Sequence, residues 1–269
     1  MLLENKTAVI YGAGGAVGSA IAQAFARDGA RLFLTGRKLD KVQAVASRIT
    51  ANGGTAEAAQ VDALDEAAVE AHLEAVLEKA GAVDISFNAT GIPARRVEEL
   101  GMQGLPLTEL PVESFVEPLA TYARSHFLTG RAAARQMLRA QRPGVILMHT
   151  PEPGRIGAPL IGGMGPAWGA IESLCRGFSV EFAARGIRAV CLRTTGLPET
   201  PTINVVFGIH AKALGITSAE VQQMFESRAH TQRSTRLAEL ADAAVFVASD
   251  HGNGITGAVV NLTGGETPD

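Results

Sequence analysis

Short runs of apolar and β-branched residues alternate along the chain with longer stretches whose apolar positions recur every three to four residues. The runs at Ala8–Tyr11, Arg31–Thr35, Ala56–Val61, Val83–Asn88, Gly144–His149, Arg188–Leu192 and Ala258–Leu262 read as buried strands. Between them, Val17–Arg27, Leu39–Ala51, Glu66–Ala80, Glu113–Ala140, Ala167–Arg185 and Leu237–Ala248 read as helices. Strands that alternate with helices call for a parallel sheet wound on both faces by right-handed crossovers. Seven strands and six main helices make one doubly wound α/β domain, with no internal repeat or low-complexity linker. Two segments break the rhythm: the glycine- and proline-bearing stretch 93–111, and the long insertion 197–235 before the last helix. Both follow strands on the carboxyl side, where open α/β sheets bind ligands, so both are candidate substrate walls and 197–235 is a candidate lid.

The first strand runs into Gly12-Ala13-Gly14-Gly15-Ala16-Val17-Gly18 and then a helix. A turn of this kind brings backbone close to a pyrophosphate, which rests on the unpaired N–H groups and positive dipole end of the helix. Gly12 and Gly14 fit the G-x-G-x-x-G spacing, whereas Val17 takes the last place and Gly18 comes one residue later. At the end of the second strand, Gly36 is followed by Arg37 and Lys38. A basic residue there accommodates a 2′-phosphate, so the pattern argues for NADP(H) over NAD(H). Asp62 after the third strand offers a carboxylate to an adenine amino group, and Asn88-Ala89-Thr90-Gly91 after the fourth brings small residues near the cofactor.

The chain has 269 residues, 46% of them hydrophobic and 19% charged, with a net charge of −3. That balance gives no basic footprint for nucleic acid and no cationic face for a membrane. Cys175 and Cys191 lie in apolar contexts and suggest neither a disulfide framework nor a metal site. No leader pattern and no long apolar run is visible, so a cytoplasmic protein is expected.

Together these residues resemble the short-chain dehydrogenase/reductase family over essentially the whole chain. The glycine turn is similar to that family's TGxxxGxG, with Tyr11 for Thr and Ala16 for the middle Gly. Asn88-Ala89-Thr90-Gly91 is similar to its NNAG, and Gly257–Gly265 to its closing strand and GG turn. The resemblance implies a Rossmann-type, seven-stranded parallel sheet with helices on both faces in a single domain. It implies NADP(H) held by Gly12, Gly14, Gly15, Val17, Gly18, Arg37, Asp62, Ala63, Asn88, Ala89, Gly91 and Thr200, and a homodimer or homotetramer built on the two long helices.

Active members of the family carry Tyr-x-x-x-Lys, a Ser thirteen residues before the Tyr, and an Asn on the preceding long helix. In this chain Met164 stands at the Tyr position, Trp168 at the Lys position, Pro151 at the Ser position and Tyr122 at or near the Asn position. The enoyl-reductase spacing, with Tyr seven residues before Lys, reaches Ile161 and also fails. Only Tyr11 and Tyr122 exist to supply a phenol.

Replacement proton donors are Tyr122, His149 and Thr150. Tyr122 lies one helical turn before His126, His149 shares a strand face with Pro151, and Thr150 stands in for Ser after a one-residue shift. Glu152 and Arg155 in the following loop are expected to be solvated. Three readings follow: an NADP(H)-dependent oxidoreductase of a small, apolar carbonyl, alcohol or enone with unconventional acid–base groups; a nucleotide-binding regulatory protein without catalysis; and a non-redox reuse of the fold.

Overall fold

The computed structural model describes residues 1–268. Its seven strands are β1 (Thr7–Tyr11), β2 (Arg31–Gly36), β3 (Thr55–Gln60), β4 (Ile85–Asn88), β5 (Gly144–Pro151), β6 (Ile187–Thr194) and β7 (Ala258–Leu262). All pair in parallel, in the order β3-β2-β1-β4-β5-β6-β7. The order reverses between β1 and β4, which opens a crevice at the carboxyl ends of those strands. The expected Rossmann-type doubly wound sheet is therefore what the chain forms.

The ten α-helices are α1 (Ala16–Arg27), α2 (Leu39–Ala51), α3 (Glu66–Ala80), α4 (Ala94–Glu99), α5 (Val112–Arg139), α6 (Pro153–Ile156), α7 (Met164–Phe182), α8 (Pro201–Leu214), α9 (Ser218–Glu226) and α10 (Leu237–Ala248). Strand side chains alternate between two layers. Ile10, Leu34, Leu147 and Leu192 pack under α1, α2 and α10, while Val9, Phe33, Ile146 and Cys191 pack under α3, α5 and α7. Burying a side chain such as Ile21 or Phe25 of α1 contributes roughly 1.5–3 kcal/mol.

Three helices lie in the two segments that break the rhythm, and α6 in the loop after β5. In 93–111, α4 is one short turn-and-a-half capped by Pro93. In 197–235, α8 starts on Pro201 and ends at Gly215 in the left-handed region, and α9 is closed by a capping box between Thr217 and Glu220. The apolar residues of that insertion largely serve each other: Phe207 stacks on Phe225 at 5.7 Å, with Ile203, Ala211 and Val221 around them. The base of the insertion is tied to the sheet, because the Thr235 N–H donates to Thr195 Oγ1 at 2.7 Å and the Thr235 hydroxyl donates to the Leu262 carbonyl.

Beneath α7 a buried ion pair joins helix to sheet. Arg193 Nε and Nη2 donate to the two Glu172 oxygens at 2.9 Å each, and both side chains are 5% exposed. The Thr150 hydroxyl donates to the same Glu172 at 3.1 Å. Such a pair contributes little over an apolar replacement, but removing one member strands a buried charge. Arg193→Leu should therefore destabilise the fold by about 3–5 kcal/mol in urea unfolding, and a change below about 1 kcal/mol would contradict a dry, paired carboxylate.

Candidate cofactor cleft and catalytic corner

The glycine turn is shaped by contacts that exclude side chains. Gly12 has φ +73°, and a Cβ there would meet the Ala89 carbonyl oxygen at 2.7 Å and the Thr90 nitrogen at 2.9 Å. A Cβ on Gly18 would lie 2.5 Å from the Gly12 carbonyl oxygen. Ala16, by contrast, opens α1 in ordinary helical conformation, so a methyl group is accommodated where the family motif has glycine. Helix α1 has no side-chain cap on Gly15 and no acidic residue in its first turn. Its leading N–H groups and dipole are thus presented to the crevice, as a phosphate requires.

The remaining cofactor-side residues fall along the same edge. Arg37 and Lys38 are exposed, and the stem of Lys41 packs so closely that a Cβ on Gly14 would meet its Cβ at 2.9 Å. Among the described residues no acid pairs with these three cations. Asp62 caps its own turn, accepting from the Leu64 N–H at 3.0 Å, beside buried Ala63. Asn88 is committed internally: its amide donates to Thr129 at 3.0 Å and its carbonyl accepts from the Thr90 N–H at 2.7 Å, which sets the Ala89–Gly91 backbone. The Thr200 hydroxyl donates to the Leu197 carbonyl at 2.9 Å as it starts α8. Nothing clamps Val17 beyond its place in the first turn of α1.

Tyr122, Met164 and Trp168 come together at the next corner. Met164 is buried with Ile92, Val97 and Met102, and Tyr122, Trp168 and Ile209 flank them. The Tyr122 and Trp168 rings meet edge-on at 6.5 Å. The Trp168 indole and the Ile92 backbone N–H act on the Tyr122 phenol oxygen in the direction that favours its phenolate. Burial raises the phenol pKa, and these two groups oppose that rise. Tyr11, the last residue of β1, is fully buried in the sheet's core and its hydroxyl has no partner, which leaves Tyr122 as the phenol beside Met164 and Trp168. The roof is formed by the Gln103 and His210 side chains, hydrogen-bonded at 3.0 Å between the 93–111 segment and α8.

The other two proton-donor candidates separate. Thr150 points beneath α7, bound to Glu172 and 3.4 Å from Cys191 Sγ, because it alternates away from His149 and Pro151. It therefore does not stand in for a serine at the cleft. His149 Nε2 and Thr194 Oγ1 share a hydrogen bond of 3.0 Å across β5 and β6. Glu152, expected in solvent, is instead 3% exposed, whereas Arg155 is exposed. No sequence signal marks that burial; only the fold brings distant residues over it.

A family model described as enoyl-(acyl carrier protein) reductase matches residues 12–267. The chain belongs to the short-chain dehydrogenase/reductase family. It is similar to the uncharacterized oxidoreductase YxbG of Bacillus subtilis (strain 168), 30% identical over 98% of this chain and 91% of that protein. It is 28% identical to the L-rhamnose 1-dehydrogenase (NAD(P)(+)) of Azotobacter vinelandii, over 98% of each chain. The crystal structure of sorbitol-6-phosphate 2-dehydrogenase SrlD from Erwinia amylovora superposes with a TM-score of 0.89 at 25% identity, covering 97% of this chain and all of that one. The family is one of oxidoreductases that bind a nicotinamide cofactor, and this chain is of that type. No helix among the described residues is long and apolar enough to cross a membrane.

Burial also fixes the protonation of the corner. His126 and His149 are pushed down to about 4 by desolvation, His149 further by the charge of His126. Burial, with Lys79 nearby, does the same to His72. Unfolded, each titrates near 6.5, so the unfolded chain takes up these protons first. Stability from neutral histidines is then complete above 6.5 and is lost as pH falls from 6.5 towards 4. Glu152, pushed up to about 8 by burial, works in the opposite direction. Comparing wild type with His126→Gln cancels that contribution: between pH 6.5 and 4.5 the variant's stability should fall less steeply, by about one proton or 1.4 kcal/mol per pH unit. Parallel curves in urea titrations would refute a neutral, buried His126.

Proposed function

We propose that the chain is an NADP(H)-dependent oxidoreductase of a small alcohol, carbonyl or enone, with Tyr122 as its proton donor. The observation that carries the reading is the coincidence, at one sheet edge, of the Gly12–Gly18 cradle with the unpaired cations Arg37, Lys38 and Lys41. The cradle suits a pyrophosphate, and the cations suit a 2′-phosphate where an acid would suit a ribose diol. The fit of both supports the cofactor. Bound there, NADPH supplies a hydride.

This chain's residues must then deliver a proton to the oxygen that gains charge. Tyr122 fits that task because it lies at the corner with Met164 and Trp168, and the Ile92 N–H and the indole favour the phenolate that remains once its O–H has donated. The pair replaces a lysine with a neutral indole: Trp168 offers one donor and no charge. Ile92, Val97, Met102 and Met164 suit the carbon frame of a largely apolar substrate and keep water out. The 197–235 insertion acts as the lid over that wall. Exposed Val116 and Phe127 on α5 and Val180 on α7 fit a homodimer or homotetramer.

Dense packing of Met164 against fully buried Met102 favours a second reading, in which the nucleotide binds without turnover. Two measurements separate the readings. Arg37→Ala should weaken NADPH binding about ten- to a hundredfold while leaving NADH binding nearly unchanged, read by quenching of the single tryptophan; equal losses would remove the 2′-phosphate contact. Tyr122→Phe should keep NADPH affinity and lower kcat by roughly 10²–10⁴. Unchanged turnover would eliminate Tyr122 as donor, and wild-type binding with no turnover across a carbonyl and enone panel would favour the second reading.

A further inference from the structure

On the far side of Pro151, three carboxyl oxygens are buried without a partner. Glu152 Oε2 and both oxygens of Glu266 are closed to solvent and accept no hydrogen bond from the protein. Glu152 is held at the end of β5 by its N–H, which donates to the Thr194 carbonyl at 2.9 Å. Glu266 follows the Gly264–Gly265 turn after β7, where the Thr231 N–H donates to the Gly264 carbonyl at 3.1 Å. Arg228, from the segment after α9, acts electrostatically on both. Three distant parts of the chain thus converge at the carboxyl ends of β5, β6 and β7, on the cofactor side of the sheet.

Leaving a buried carboxyl oxygen unbonded costs about 1–3 kcal/mol or more, so a native site of this kind is completed by something. Charge narrows the choice. Burial, with Glu266 beside it, pushes Glu152 up to about 8, so it holds its proton at neutral pH. Burial raises Glu266 as well, against the opposing charge of Arg228, and no metal-holding group of His, Cys, Asp and Glu occurs among the described residues. What the cluster lacks is hydrogen-bonding partners: Glu152 offers one donor and acceptor capacity, and Glu266 offers two unpartnered oxygens. Neighbouring hydroxyl groups, each donor and acceptor at once, complete that set, whereas an ammonium offers donors only.

We propose that Glu152 and Glu266, with Arg228 beside them, form a subsite for the hydroxyl groups of a polyhydroxylated ligand. The subsite deepens the oxidoreductase reading and rests on it for the ligand being the substrate. It gives that substrate two unlike ends, with the carbon frame against Met102 and Met164 and the hydroxyls on the two carboxyls.

Calorimetric titration of the full chain with NADP⁺ present, using meso-erythritol as probe and n-butylammonium as the cationic control, tests the proposal. Erythritol should bind wild type. Glu152→Gln, whose amide keeps one donor and one acceptor, should bind within about threefold, while Glu152→Leu and Glu266→Leu should each lose about tenfold or more. Preference for butylammonium, wild-type affinity in Glu152→Leu, or no erythritol binding at all would overturn it, the last leaving water as the occupant. Tryptophan quenching by NADPH on the same samples distinguishes the failures: retained quenching with no erythritol binding sinks the subsite alone, and lost quenching sinks the cofactor reading.

Discussion

Contact between two pieces of backbone, the Gly12 turn and the Ala89–Thr90 segment, sets the geometry of everything at the carboxyl edge. The Gly12 Cα faces the Ala89 carbonyl with no room for a methyl group, and Gly18 is pressed as closely on Gly12. Because β1 and β4 are neighbours, that approach fixes how α1 points its N–H groups across the switch point. Asn88 holds the other side of the contact by bonding Thr129 of α5 and its own Thr90. A shift of either strand would therefore move the glycine turn and the Tyr122 helix together.

The corner beyond that contact brings Tyr122, Met164 and Trp168 together. The family resemblance puts a lysine and an asparagine where this chain has Trp168 and Tyr122, and the rings of these two residues meet edge-on at 6.5 Å. A buried ammonium among Ile92, Met102 and Met164 would lack a counter-charge, and its desolvation would cost several kcal/mol. A neutral N–H donor carries no such penalty. The exchange makes chemical sense as a pair, since the indole needs an acceptor and the phenol oxygen supplies one.

The doubly wound sheet was legible because period-two and helical patterns are local, and because Gly12, Gly18 and Arg37 sit at positions whose chemistry follows from strand ends. Strand limits shifted by one or two residues at β4, β5 and β6, where pairing with neighbours decides the last bond. The helices α8 and α9 were hidden by composition: Phe207 and Phe225 advertise an apolar wall in sequence, yet stack on each other. Thr150 and Glu152 were misjudged for a different reason. Their environments are built by Glu172, Arg228 and Glu266, more than twenty residues away or more than seventy, and no local pattern encodes those contacts.

The same long-range construction bears on where a proton can reside. Desolvation keeps His126 and His149 neutral and Glu152 protonated, so the carboxyl ends of β5 and β6 hold few charges at neutral pH. In such surroundings charge that develops on a reacting oxygen is poorly screened, and a single well-aimed donor is worth more than in water. Tyr122 and Glu152 are the two groups there that combine a retained proton with an open hydrogen-bonding position. On the readings proposed above, the phenol delivers the proton and the carboxyl recognises hydroxyl groups. One corner can thus orient a substrate from one end and protonate it at the other, with the phenol end kept free of charge.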